Sequence, residues 1–189
     1  MTTTCPWAET DPAMRSYHDR EWGRPVRTDA GLFERIILEG AQAGLSWSTI
    51  LNKRPAYRKA FAGFRPERVA RFTARDERRL LADAGIVRNR AKIRSAIANA
   101  RAYLDLRDAV GDVGPWLATF DEPAMLSKEL RSRGFTFVGP TIALSILQAI
   151  GVIDGHVAGC ALASRPQRQR PTAVRARSPV ARGARSAPR

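Results

Sequence analysis

Two cysteines and two histidines are all that the 189 residues contain of either type, and they fall into two pairs. Cys5 and His18 stand as C-x12-H near the start, and His156 and Cys160 as H-x3-C far downstream. Residues four apart share a face on a helical turn, so the second pair can converge. Two thiolates and two imidazoles make a tetrahedral site that suits Zn2+. Four protein ligands leave no open position for an activated water, so such a metal would be structural and would clip the two ends of a domain together. Spacing alone also admits a Cys5–Cys160 disulfide, which a reducing compartment disfavours, or four side chains with no common role.

A second group of residues could bind. Glu39 interrupts the apolar run Ile36-Ile-Leu-Glu-Gly40, where a carboxylate is costly to bury without a cationic or donor partner. Trp7, Trp22 and Trp47, three of the four tryptophans, lie in the first quarter of the chain with Tyr17. Core packing is the ordinary use of such rings. Aromatic faces around one carboxylate also describe a pocket for a flat cation, and a methylated purine would fit it.

Charge points the same way. With 32 Lys and Arg against 18 Asp and Glu the net charge is +14, which favours polyanionic partners. Residues 164–189 hold eight Arg and no acid, and removing them reduces +14 to +6. That stretch, rich in Arg, Pro, Ser and Ala, has little to bury and reads as a disordered tail after a single domain over 1–163. Between Arg75 and Arg101 eight basic residues face three acids within a helical pattern, so their side chains can be aimed. With 44% hydrophobic and 26% charged residues, wholesale disorder and a disulfide miniature are excluded. No run of eighteen apolar residues and no signal-like N-terminus occurs, which excludes a membrane partner and leaves the cytoplasm as the expected compartment.

The elements that must position these residues read as helical throughout, giving an all-α fold. Leu32, Phe33, Ile36 and Ile37 place a helix between Asp29 as N-cap and Gly44 as stop. Ser46 caps a second helix, which Pro55 ends or bends. A short turn follows at Pro66–Phe72, then helices over 76–84 and 90–106 joined by Gly85-Ile-Val-Arg-Asn89, and further helices over 115–120, 125–133 and 140–151. Only Phe135–Val138 alternates like a strand, and it is too short and solitary to build a sheet. The Gly85 hairpin between two Arg-rich helices is similar to a helix-hairpin-helix, whose backbone N–H groups bind a phosphate. Arg88, Arg90, Lys92 and Arg94 would lie near the DNA backbone, and Val87 stands where a second hairpin glycine is usual.

Cys5-Pro-Trp7, Tyr17-His-Asp-x-Glu-Trp-Gly23, Leu38-Glu-Gly-x-Gln-Ala-Gly-Leu-Ser-Trp47, Ala84-Gly-Ile86, Arg133-Gly-Phe-x-Phe-Val-Gly139, Gln148-Ala149 and His156-x3-Cys160 together resemble the bacterial 3-methyladenine DNA glycosylase I family. The resemblance spans about Cys5 to Cys160. It implies a helix-hairpin-helix bundle with structural zinc on Cys5, His18, His156 and Cys160, and a monomer acting on double-stranded alkylated DNA. The damaged nucleotide would be flipped into a pocket. Glu39 would bond the base edge as the catalytic residue, Tyr17 and Trp47 would stack on the base, and Trp7 and Trp22 would line the walls. Gln42, Gly44 and Leu45 would meet the DNA, Leu45 plugging the vacated stack, with Gly85, Arg88, Arg90 and Lys92 on the backbone. No lysine nucleophile is needed, so excision without strand cleavage is expected. Gly155 departs from the family, which usually carries an acid there; Leu144 stands where Tyr is common, and the 121–125 connection looks shortened. Two other readings are a non-catalytic, zinc-stabilised DNA-binding module of the same fold and an RNA-binding protein using its Arg-rich tail. A solvent-reachable cavity at Glu39 would favour the enzyme, and a sealed core the binders.

Overall fold

Helix α2 (Asp29–Gln42) is the element around which the others pack: every residue from Leu32 to Ala41 is buried. Phe33, Ile36 and Leu38 are sealed from solvent, each contributing about 1.5–3 kcal/mol through burial. In the computed structural model, which describes residues 4–163, the chain enters through a 3-10 turn (Pro6–Glu9) and α1 (Pro12–Arg20). After α2 come α3 (Trp47–Ala60), the short α4 (Pro66–Val69), α5 (Ala74–Ala82), the long α6 (Arg90–Val110), the short α7 (Val113–Leu117), α8 (Pro123–Ser132) and α9 (Pro140–Ala149). No strand occurs among the described residues, so the fold is all-α. The Arg-rich tail, 164–189, lies outside the described residues.

Helix α2 packs against α3, α6, α7 and α9, and α1 packs on α3. Ser46 caps α3 as expected, its hydroxyl accepting from the Thr49 N–H at 3.2 Å. Pro55 does not end that helix. Its ring sits exposed and costs one backbone bond, while Ile50, Tyr57 and Ala60 anchor the helix to the core. The cap of α2 is Thr28, which accepts from the Gly31 N–H, and not Asp29. Asp29 is instead held by the Tyr103 hydroxyl and by Arg107 of α6, each at 2.9 Å. Residues Phe135–Val138 form a loop, in which Thr136 is tied to Ser95 and Asn99 of α6.

The loop from α2 to α3 and the hairpin from α5 to α6 both show why their glycines are there. Gly44 has φ +77°, a left-handed conformation that L side chains resist. Gly85 needs the absence of a side chain instead: a Cβ would lie 2.8 Å from Ala56 of α3.

Candidate active site

Five aromatic and acidic residues from separate elements meet at one cavity. Trp7 comes from the entry turn, Tyr17 from α1, Trp22 from the loop after it, Glu39 from the last turns of α2, and Trp47 from the first residue of α3. The cavity measures about 240 Å3 and opens to solvent. That is smaller than the roughly 300–1,000 Å3 of ordinary ligand pockets, in keeping with one flat base rather than a nucleotide. The Tyr17 and Trp47 rings lie 5.2 Å apart at 45°, and Trp7 meets Trp22 edge-on at 5.0 Å. The Tyr17 hydroxyl and the Trp47 indole N–H are buried with no hydrogen-bond partner among the described residues.

Glu39 is only 4% exposed, and among the described residues no hydrogen bond reaches its carboxylate. Burial pushes its pKa from the ordinary 4.5 to about 7, against the opposing pull of Arg35 one helical turn away. A carboxylate so placed is stabilised by any cation that enters the cavity.

The same cavity contains residues that the sequence reading gave no role: Met14, Ser145 and Gln148. Gln42, expected at the DNA surface, lines it too. Behind the cavity lies a network that was also not foreseen. Arg54 of α3 donates to Glu34 and, at 2.8 Å, to Glu21; Arg35 reaches Glu21 at 3.1 Å, and Arg58 adds a contact to Glu34. Arg35 also lies 5.2 Å from the Tyr17 ring centroid. These pairs join α2 and α3 to the segment after α1, thereby fixing three walls of the cavity. Glu34, Arg35 and Arg54 are all buried, so removing one partner strands charge away from water. Arg54→Met is accordingly expected to cost about 3 kcal/mol, measured by urea unfolding; a cost below about 0.5 kcal/mol would mean that the network is dispensable.

At the ends of the described chain, Cys5, His18 and Cys160 bring their ligand atoms within 4.8 Å of one another. His18 Nε2 lies 3.5 Å from the Cys160 sulfur, and its Nδ1 lies 2.8 Å from the Asp19 carboxylate, the arrangement that orients a metal-ligating imidazole. The fourth expected ligand, His156, has its ring 5.1 Å from that of His18. Its Nδ1 faces Asp154 at 2.8 Å, and its Nε2 is buried without a hydrogen-bond partner among the described residues. Cys5, His18 and Cys160 therefore form a group that could hold a metal ion, while His156, the fourth ligand expected from the sequence, lies outside that group; each imidazole is backed by a carboxylate. The acid missing at Gly155 is supplied one residue earlier by Asp154. Gly155 itself has no room for a side chain, because a Cβ would lie 2.7 Å from Gln148 and 2.9 Å from Trp22. Trp22 in turn meets the His156 ring edge-on at 4.6 Å, so the two sites share a wall.

The expected DNA-facing residues divide. Leu45 projects from its loop, 40% exposed. Arg88 and Arg90 are exposed on the hairpin, and Arg94 pairs with Glu77. The N–H groups of Gly85 and Val87 are already taken, by the Asp83 carboxylate at 2.8 Å and by the Tyr57 hydroxyl at 3.2 Å. Lys92 is half-buried and donates to the carbonyls of Ala41 and Ala43.

The chain matches the family model described as methyladenine glycosylase over residues 7–124 and 116–163. It is 43% identical over 176 residues to DNA-3-methyladenine glycosylase 1 of Escherichia coli, covering 82% of this chain and 94% of that protein. It is 38% identical over 180 residues to the DNA-3-methyladenine glycosylase of Haemophilus influenzae, covering 85% and 97%. Among solved structures, 3-methyladenine DNA glycosylase I from Staphylococcus aureus superposes with a TM-score of 0.81 at 34% identity, covering 87% of this chain and 98% of that one.

Proposed function

The chain belongs to the methyladenine glycosylase family, and from that premise we infer that it is a DNA repair enzyme that excises N3-methyladenine from alkylated DNA by hydrolysing the N-glycosidic bond. The observation that carries this reading is Glu39, a nearly buried carboxyl in an aromatic cavity that opens to solvent. A sealed core would have favoured a binding module. Relatives are named for the same base, and one solved relative holds 3-methyladenine.

Methylation at N3 gives the base a positive charge and makes it a ready leaving group. Tyr17 and Trp47 would stack on the flipped base, and Glu39 would accept from its exocyclic amine and balance its charge. As the C1′–N9 bond breaks, its electron pair neutralises the base; the sugar cation takes the oxygen of water, which loses a proton. No covalent enzyme intermediate is needed, so the DNA strand stays whole. Treating an alkylated duplex with the protein should leave alkali-labile sites and an uncut strand. Cutting without alkali would contradict the monofunctional reading.

Leu45 would enter the duplex where the base has left. Burial of such a side chain is worth about 1.5–3 kcal/mol, so Leu45→Ala should slow single-turnover release from duplex DNA roughly 10- to 100-fold. Its affinity for free 3-methyladenine should not change; equal release rates would dismiss the plug.

We place a structural zinc on Cys5, His18, His156 and Cys160, where it would join the entry segment to the end of the helical domain and steady the Trp22 wall. Both cysteines are free and buried, as a cytoplasmic enzyme would have them. No helix among the described residues is long and apolar enough to cross a membrane. The working form is taken to be a monomer on double-stranded DNA, with Arg88 and Arg90 on the phosphates.

A further inference from the structure

Lys92 is a half-buried basic residue of the hairpin. It is the third residue of α6, and its backbone N–H is accepted by the Asn89 cap at 3.1 Å. Its ammonium donates to the Ala43 carbonyl at 2.6 Å and to the Ala41 carbonyl at 2.8 Å. Those carbonyls end α2, where backbone acceptors lack helical partners and the helix dipole is negative, so a cation is well placed there. Burial lowers the Lys92 pKa, a cost met by the two acceptors.

The residues just beyond those carbonyls give the contact its consequence. Ala43 leaves helical geometry at φ −44°, ψ 115°, Gly44 turns left-handed, and exposed Leu45 comes next, its N–H donating to the Gln42 carbonyl at 2.6 Å. The direction of Leu45 is therefore set at Ala43–Gly44, the point that Lys92 holds. Gln42, between the two acceptors, lines the cavity. Lys92 links the start of the hairpin's second helix to the plug loop across about fifty residues of sequence.

We propose that Lys92 is a positioning residue, which fixes the Leu45 loop to the DNA-binding hairpin so that seating the hairpin on phosphates presents Leu45 to the base stack. This rests on the glycosylase reading above. A phosphate contact, the role expected from sequence, would behave differently. Neutralising one phosphate contributes nearly one to the slope of log K against log salt.

The test is a cycle of Lys92→Met, Leu45→Ala and the double variant. Two quantities are read: single-turnover base release from methylated duplex, and the ratio of affinities for a duplex with a stable abasic analogue and for an intact duplex. Lys92→Met should slow release at saturating protein at least tenfold and reduce the preference for the abasic duplex by a similar factor. It should leave the salt slope for intact duplex and the affinity for free 3-methyladenine unchanged, and Lys92→Arg should restore most of the loss. In the Leu45→Ala background, Lys92→Met should add less than about twofold, because both changes disable one device. Losses that multiply, or a salt slope lowered by about one with both duplexes weakened alike, would overturn the proposal. If the wild-type protein released no base, the glycosylase reading would fail, while the affinity ratio would still report on the clamp.

Discussion

Replacing Glu39 by Gln is expected to slow release of 3-methyladenine roughly 30- to 1,000-fold, the equivalent of about 2 to 4 kcal/mol of lost transition-state stabilisation. The substitution keeps the shape of the side chain and removes the charge that faces the cationic base. Affinity for duplex should barely move, since phosphate contacts supply most of it. The same change should stabilise the fold. Burial raises the Glu39 pKa from 4.5 to about 7, so the carboxyl costs nothing below 4.5, costs more as pH rises to about 7, and costs a constant amount above it. That plateau is about 3 kcal/mol, and Glu39→Gln should gain it in urea unfolding at pH 8 and lose the gain near pH 4. In the wild-type protein kcat/KM should rise with pH towards a plateau above about 7, as the free enzyme acquires its carboxylate. A rate that fell over that range would mean that the protonated acid is the working form.

Removing the proposed zinc should have the other large effect. If the proposed zinc joins residues 5 and 18 to 156 and 160, the protein should purify with about one zinc per chain. Chelation, or Cys160→Ser, should cost on the order of 5 kcal/mol and lower Tm by about 10 to 20 °C. Because Trp22 packs on His156, affinity for free 3-methyladenine should weaken as well. Substoichiometric zinc with an unchanged Tm would contradict the assignment.

Local signals in the sequence account for much of this architecture. The apolar spacing of α2, the Ser46 cap and the Asn89 hairpin are contained within single windows of chain. Helix α1 carried such a signal without being read: Asp11 caps it, accepting from the Met14 N–H, and Pro12 opens it. Thr28 displaced Asp29 as a cap because α6 offered Asp29 two donors, which no local pattern could reveal. The pairs of buried Arg54 with Glu34 and Glu21 likewise join positions 20 and 33 residues apart. Their one trace in the sequence is the pair Glu34-Arg35 set among Leu32, Phe33, Ile36 and Ile37. Lys92 read as a phosphate contact because a basic helix gives charge and spacing, but not the direction a long side chain takes once another helix ends beside it. Glu39 was legible for the opposite reason, as a carboxylate in an apolar run that has to be explained by something it meets.

Chromatography of the bases released from methylated duplex DNA under single-turnover conditions bears most closely on the role of Glu39, with wild-type and Glu39→Gln proteins of equal metal content and duplex affinity. The wild-type protein should release free 3-methyladenine as its principal product, and the variant should do so at least 30-fold more slowly. Equal rates from the two proteins, or tight duplex binding with no base released by the wild type, would contradict a glycosylase that works through this carboxylate.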